Sequence, residues 1–241
     1  AIIALSSQLP DITESLRLDG STQPNLPANT STPIIINANF FTYGLYFLAP
    51  ENYVRGIAFV DAGYASLGFM DGTNEITNNL FGVYPNGTNA SLTTYGLVFE
   101  NDAAGMANTI GSPDEKNVFA NVANTGVYFM GDASNSVIQS NYFGLLPDGV
   151  TTGYCYDAIV FGEGGTDVQI GGDAPELGNI FSNCFNIGIK QLSGTYPIER
   201  LLIHGNSFGT DITGMVPYLL ANSIVITAAI DLTIGGTNPG E

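Results

Sequence analysis

Apolar and polar residues alternate in short bursts along the 241-residue chain, and no segment shows the 3.6-residue period of an amphipathic helix. Seven short segments share one pattern: GLYF (44–47), SLGF (66–69), GLVF (96–99), GVYF (126–129), AIVF (158–161), GIKQ (188–191) and SIVI (223–226). In a strand, residues two apart lie on one face. The second and fourth positions therefore form two columns. One is Leu45, Leu67, Leu97, Val127, Ile159, Ile189 and Ile224. The other is Phe47, Phe69, Phe99, Phe129, Phe161, Gln191 and Ile226. Between these segments Ile-x-x-Asn-x-Phe-Gly occurs at 76–82, 138–144 and 203–209. Asn-x-Phe returns at 117–119 and 179–181, where a Gly-rich insertion (IGS or IGG) separates it from the preceding Ile. Two kinds of unit thus alternate, averaging about 31 residues. The short strand follows Phe by about 15 residues after the first kind and by about seven after the second.

Like residues recurring at each unit predict a parallel coil whose turns bond to one another at about 4.8 Å. No single unit can bury its own columns, so the units must stack. The expectation is an all-β parallel β-helix forming one domain over 1–241, with N-terminal cap coils in 1–43 and regular coils over 44–241. Asn79, Asn117, Asn141, Asn179 and Asn206 stand two residues before Phe, on the inward face. There a buried amide can satisfy the backbone carbonyl and N–H of adjacent coils at a bend, which predicts a structural Asn ladder. Ile57 takes the Asn position after YVRG, and Gln191 interrupts the Phe column.

The opening LPDITESLRLDGSTQPN (9–25), with coils ending in NYFGLLPDG, NSFGTDITG and IGGTNPGE, resembles the right-handed parallel β-helix repeat proteins of large secreted or surface bacterial polypeptides. The wider pectin-lyase-like fold includes pectate lyases and polygalacturonases. The resemblance implies a right-handed coil and a secreted or cell-surface location. Fold alone does not fix function.

Charge narrows the partners. Five basic residues against 22 acidic ones give a formal net charge of −17. Such a surface repels phosphate backbones and argues against nucleic acid. No apolar run is long enough to span a membrane as a helix. A lyase site needs clustered carboxylates beside an Arg or Lys, but Arg17, Arg55, Lys116, Lys190 and Arg200 are scattered over the coils. A glycosidase needs two close carboxyl groups, and the pairs Asp61/Asp71 and Asp132/Asp157 align no acid with a base. His204 is expected outward or satisfied in a turn. Loop carboxylates Asp114, Glu115, Asp148, Asp173, Glu176 and Asp211 could offer oxygens to Ca²⁺, yet they fit no standard calcium spacing. No other cofactor is indicated. Cys155 and Cys184 lie in similar contexts about one unit apart and are either a cross-coil disulfide or two stacked buried thiols. The outward positions include Tyr46, Val98, Tyr128 and Val160, an apolar stripe that needs a cover. That cover is either the long connections or a partner chain or glycan.

These patterns predict a non-catalytic stalk, adhesin or matrix element. A polysaccharide lyase or glycosidase, and a glycan-binding module, are the alternatives. IGGTNPGE breaks off within a unit that calls for Asn-x-Phe, so the coils are expected to continue, either in a longer chain or in a neighbouring copy stacked head to tail.

Overall fold

The structure is a computed structural model and describes residues 1–22, 34–100, 107–192 and 196–236. Its strands form three long sheets, and every pairing between them is parallel. The first sheet has eight strands: Ile2–Ala4, Ile34–Asn37, Ile57–Val60, Leu80–Phe81, Val118–Phe119, Tyr142–Phe143, Ile180–Phe181 and Ser207–Phe208. The second has seven: Tyr43–Phe47, Ala65–Phe69, Thr93–Phe99, Val122–Phe129, Cys155–Phe161, Cys184–Gln191 and Leu220–Val225. The third again has eight: Arg17–Asp19, Tyr53–Arg55, Glu75–Thr77, Thr109–Ile110, Val137–Ile138, Gln169–Gly171, Leu202–His204 and Thr233–Ile234. From Tyr53 onward the chain visits the third, first and second sheets in turn. Each circuit stacks on the last, which is the arrangement of a parallel β-helix. A short fourth sheet of Gly165–Thr166, Ile198–Glu199 and Ala229–Ile230 flanks the later coils. The N-terminal segment joins the same sheets, since Ile3 pairs with Ile36 and Leu18 with Val54.

The register stacks like on like. Leu45, Leu67, Leu97, Val127, Ile159, Ile189 and Ile224 are successive partners in the second sheet. Phe47, Phe69, Phe99, Phe129 and Phe161 stack beside them, with centroids 4.9, 5.1, 4.8 and 5.4 Å apart. A second phenylalanine stack runs through the first sheet from Phe59 through Phe81, Phe119, Phe143 and Phe181 to Phe208. The third sheet adds an aliphatic column of Val54, Ile76, Ile110, Ile138, Ile170 and Ile203. These columns meet in one continuous core. Stacked, offset rings fill it with large apolar surfaces that need no hydrogen-bond partner.

Where the corner between the third and first sheets is short, it turns through a left-handed residue. Asn78, Ser140 and Gly205, each immediately before a ladder Asn, have φ of 54°, 62° and 66°. Long connections leave after Phe81, Phe143 and Phe208. Each closes on itself through one antiparallel bridge: Val83 with Asn89, Leu145 with Thr152 and Thr210 with Pro217. Val83 and Leu146 from these connections pack on Ala58, Leu80 and Val118 at the outer side of the first sheet.

Candidate functional site

The ladder asparagines are all inside the corner. Asn79, Asn117, Asn141 and Asn179 are fully buried. The Oδ1 of Asn117, Asn141, Asn179 and Asn206 each accepts the backbone N–H of the preceding ladder Asn, at 3.0, 3.2, 3.0 and 2.9 Å. Each also accepts that residue's Nδ2–H. The Nδ2 of Asn79, Asn117, Asn141 and Asn179 reaches back to a third-sheet carbonyl of an earlier coil, those of Val54, Ile76, Ile110 and Ile138, at 2.8 Å each. Ile57 occupies the Asn position of its coil and donates its backbone N–H to Asn79 Oδ1. Sequence separations along the ladder are 38, 24, 38 and 27 residues. The long and short steps alternate, while the vertical contact repeats.

A second amide ladder, which sequence reasoning missed, sits at the corner leading into the third sheet. Asn74 Oδ1 accepts from Asn52, and Asn108 Oδ1 accepts from Asn74, through both backbone and side-chain N–H groups. Ser136 Oγ receives the Asn108 backbone N–H, and Asn108 Nδ2 has no partner among the described residues. Val168 and Leu201 then replace the amides with apolar side chains. The signal was present as Asn two residues before the aliphatic of three third-sheet strands, in NYV, NEI and NTI.

Cys155 and Cys184 are register partners, fully buried, and free. Both expected arrangements require this stacking of the two cysteines in adjacent coils. Each Sγ faces a backbone carbonyl, Cys155 that of Asp157 and Cys184 that of Ser182. The partner thiol, then burial, pushes the Cys155 thiol well up from its ordinary value.

The expected outward stripe needs correction. Val98 and Val160 are 0% and 4% exposed, so neither can meet a ligand. The long connections cover the first sheet instead of this one. What reaches the surface of the second sheet is a row of half-buried tyrosines. Tyr46 packs on Tyr43 at 4.6 Å, Tyr43 on Tyr64 at 5.5 Å, Tyr64 on Tyr95 at 5.0 Å and Tyr95 on Tyr128 at 5.5 Å. The Tyr43 and Tyr46 hydroxyls donate to the two oxygens of Glu100 at 2.7 and 2.8 Å. Burial, and then the Glu100 carboxylate, push both phenols above their ordinary value. Sequence reasoning found Tyr46 and Tyr128. It missed Tyr43, Tyr64 and Tyr95, which enter the row from just before the alternating segments.

The basic residues are spent within the chain. Arg17 lies over the Tyr53 ring at 3.8 Å, and Lys116 over Tyr142 at 5.4 Å. Arg55 bridges Asp19 and Glu115, Lys190 meets the buried Asp157 at 3.0 Å, and Arg200 clasps Asp167 at 2.6 and 2.7 Å. Two of the loop carboxylates are engaged by their own loops. Asp148 accepts from Val150, Thr151 and the Thr151 hydroxyl, and Asp211 accepts from Thr213 and Val216. These bonds hold both carboxyl groups below the usual carboxylate range, against some desolvation. Asp61 is occupied by Asn37 and Ser91. His204 is buried rather than outward. Its Nδ1 lies 2.9 Å from Asp173 Oδ1, and its Nε2 has no partner among the described residues. Among those residues no three His, Cys, Asp or Glu side chains converge as a metal site. No described helix is long and apolar enough to cross a membrane.

Comparison of the chain with protein families, with characterised proteins and with solved structures finds no match.

Proposed function

We propose that this chain is a non-catalytic β-helical rod of a secreted or cell-surface protein, serving as a structural and adhesive element. The observation that carries the reading is the unbroken run of the Asn79–Asn206 ladder and the phenylalanine stacks through successive coils. These asparagines and phenylalanines face inward and support the coil above and below. Among the described residues no acid–base pair recurs from coil to coil on the outer face. A right-handed coil of the pectin-lyase-like kind is the finer assignment, supported by the general preference of parallel crossovers for that hand and by the family resemblance.

The test pairs mechanics with chemistry. Pulled end to end, the rod should resist as one cooperative unit. Incubation with polygalacturonate and with neutral glycans should release neither unsaturated nor reducing ends. Release of either product, abolished by substitution of a surface carboxylate, would establish a polysaccharide lyase or glycosidase instead.

A further inference from the structure

The chain has two cysteines, and they are register partners in adjacent strands of the second sheet, Cys155–Phe161 and Cys184–Gln191. The same column holds Val122 on the coil before and Leu220 on the coil after. Other small apolar residues would fill the two middle places, so packing alone does not call for sulfur at both. Partners across a parallel pair have Cα atoms about 4.8 Å apart, inside the range that a disulfide spans. Both side chains lie in the core, on the same face of the sheet. The Cys184 thiol bears on that of Cys155 more strongly than burial does. One extra residue between Cys184 and Ile187, opposite Cys155 to Asp157, breaks the register just past the pair and gives the backbone room to adjust. This joint is also where the cohesion of the sheet changes. Phenylalanines stack from Phe47 to Phe161, but Phe161 meets Gln191, so ring stacking stops here in this column. The next strand, Leu220–Val225, is mostly exposed. Across the joint, Lys190 and Asn186 reach the buried Asp157. A covalent tie between Cys155 and Cys184 would join these polar links at the coil where the stack ends.

We propose that Cys155 and Cys184 close to a disulfide that staples these two coils in the native protein. The site rests on the register of the fold, and only its oxidation in the native protein rests on the secreted or cell-surface location proposed above, where disulfides persist. The step is exchange with a small-molecule disulfide. The thiolate of one cysteine attacks a sulfur of the oxidant and one oxidant thiol leaves. The second cysteine then displaces the other. Two S–H bonds are lost, one S–S bond forms between the coils, and the oxidant is reduced to two thiols. The partner thiol, then burial, holds the Cys155 thiol in its protonated form, and neither sulfur is open to a reagent. Exchange therefore takes place before these coils close, and the finished bridge is shielded from reductant.

The experiment unfolds the intact protein in urea and refolds it with oxidised and reduced glutathione. The product is unfolded again, treated with a maleimide and weighed. It should take up no maleimide, and digestion should give one peptide pair joined through Cys155 and Cys184. In the folded protein the bridge should survive added dithiothreitol and be lost once urea is present. The bridge closes a loop of about 30 residues. The oxidised form should therefore melt about 5–10 °C above the reduced form. Cys155→Val and Cys184→Ala, which keep the column apolar, should each melt alike with and without reductant. Should one of them fail to fold, the other carries this comparison. Two maleimides on protein refolded with oxidant, a bridge that joins two chains instead of closing within one, or equal melting of the oxidised and reduced forms overturns the proposal. Counting maleimides on the chain as isolated from the cells that make it tests the location separately. Two free thiols there, with a bridge formed on refolding, keep the site and reject the secreted location.

Discussion

A ladder asparagine does more than fill a corner. Asn141 accepts two N–H groups from Asn117 and donates to the carbonyls of Ile110 and Gln139 and to Asn179 Oδ1. Replacing it with alanine strands several buried groups at once, and each stranded group costs about 1–3 kcal/mol. Asn141→Ala should therefore lose roughly 3–5 kcal/mol in urea unfolding. Asn206→Ala, at the half-buried end of the ladder, should lose about half as much. A loss below about 1 kcal/mol at Asn141 would show that water replaces the amide. The tyrosines make a second residue-scale prediction. Tyr43 and Tyr46 hold their protons in the folded chain above the ordinary phenol value. Below about pH 10 both states are protonated and the full stability is present. Above it the unfolded chain ionises first and binds fewer protons, so stability falls as pH rises. Absorbance titration should show these phenols ionising after the others, and Glu100→Gln should bring them down.

At the scale of the element, glycines at bends separate two costs. Gly144 has φ of 76°, and a Cβ there would collide with the Ser182 carbonyl oxygen one coil on. Gly87 has φ of 81° but nothing within 4 Å of its Cβ position. Thermal unfolding should show Gly87→Ala costing only about 1 kcal/mol, the conformational part, and Gly144→Ala at least about 3 kcal/mol. The short strands were legible in sequence for a related reason. Successive coils must put identical shapes in the same place, so Leu45, Leu67 and Leu97 announce their own register. Where the stacking contact changes partner type, the signal fades. The second amide ladder passes from Asn108 to Ser136 to Val168, and only three of its members look alike. The tyrosine row was half legible, because Tyr43, Tyr64 and Tyr95 join it from before the alternating segment. The burial of Val98 and Val160 was not legible, because the alternation that placed them outward says nothing of how side chains of neighbouring coils cover that face.

At the scale of the whole molecule, a formal charge of −17 on 241 residues works against compaction. Raising NaCl from about 0.01 to about 0.5 M shortens the screening length several-fold, so the midpoint of thermal unfolding should rise by about 2–5 °C. A midpoint that falls would mean that the pairs of Arg55, Lys190 and Arg200 outweigh the general repulsion. The uneven steps of the Asn79–Asn206 ladder carry a further consequence. Coils of very different length meet at the same vertical contact, so chain length is decoupled from position. The rod thus behaves as a rack with fixed shelves. A foreign peptide spliced between Pro85 and Asn89 would hang outside the stack, its place along the axis set by Asn79 and Asn117 and not by its own length. Successive shelves could then carry different guests at known intervals, which makes the molecule a ruler for presenting epitopes or enzymes in order.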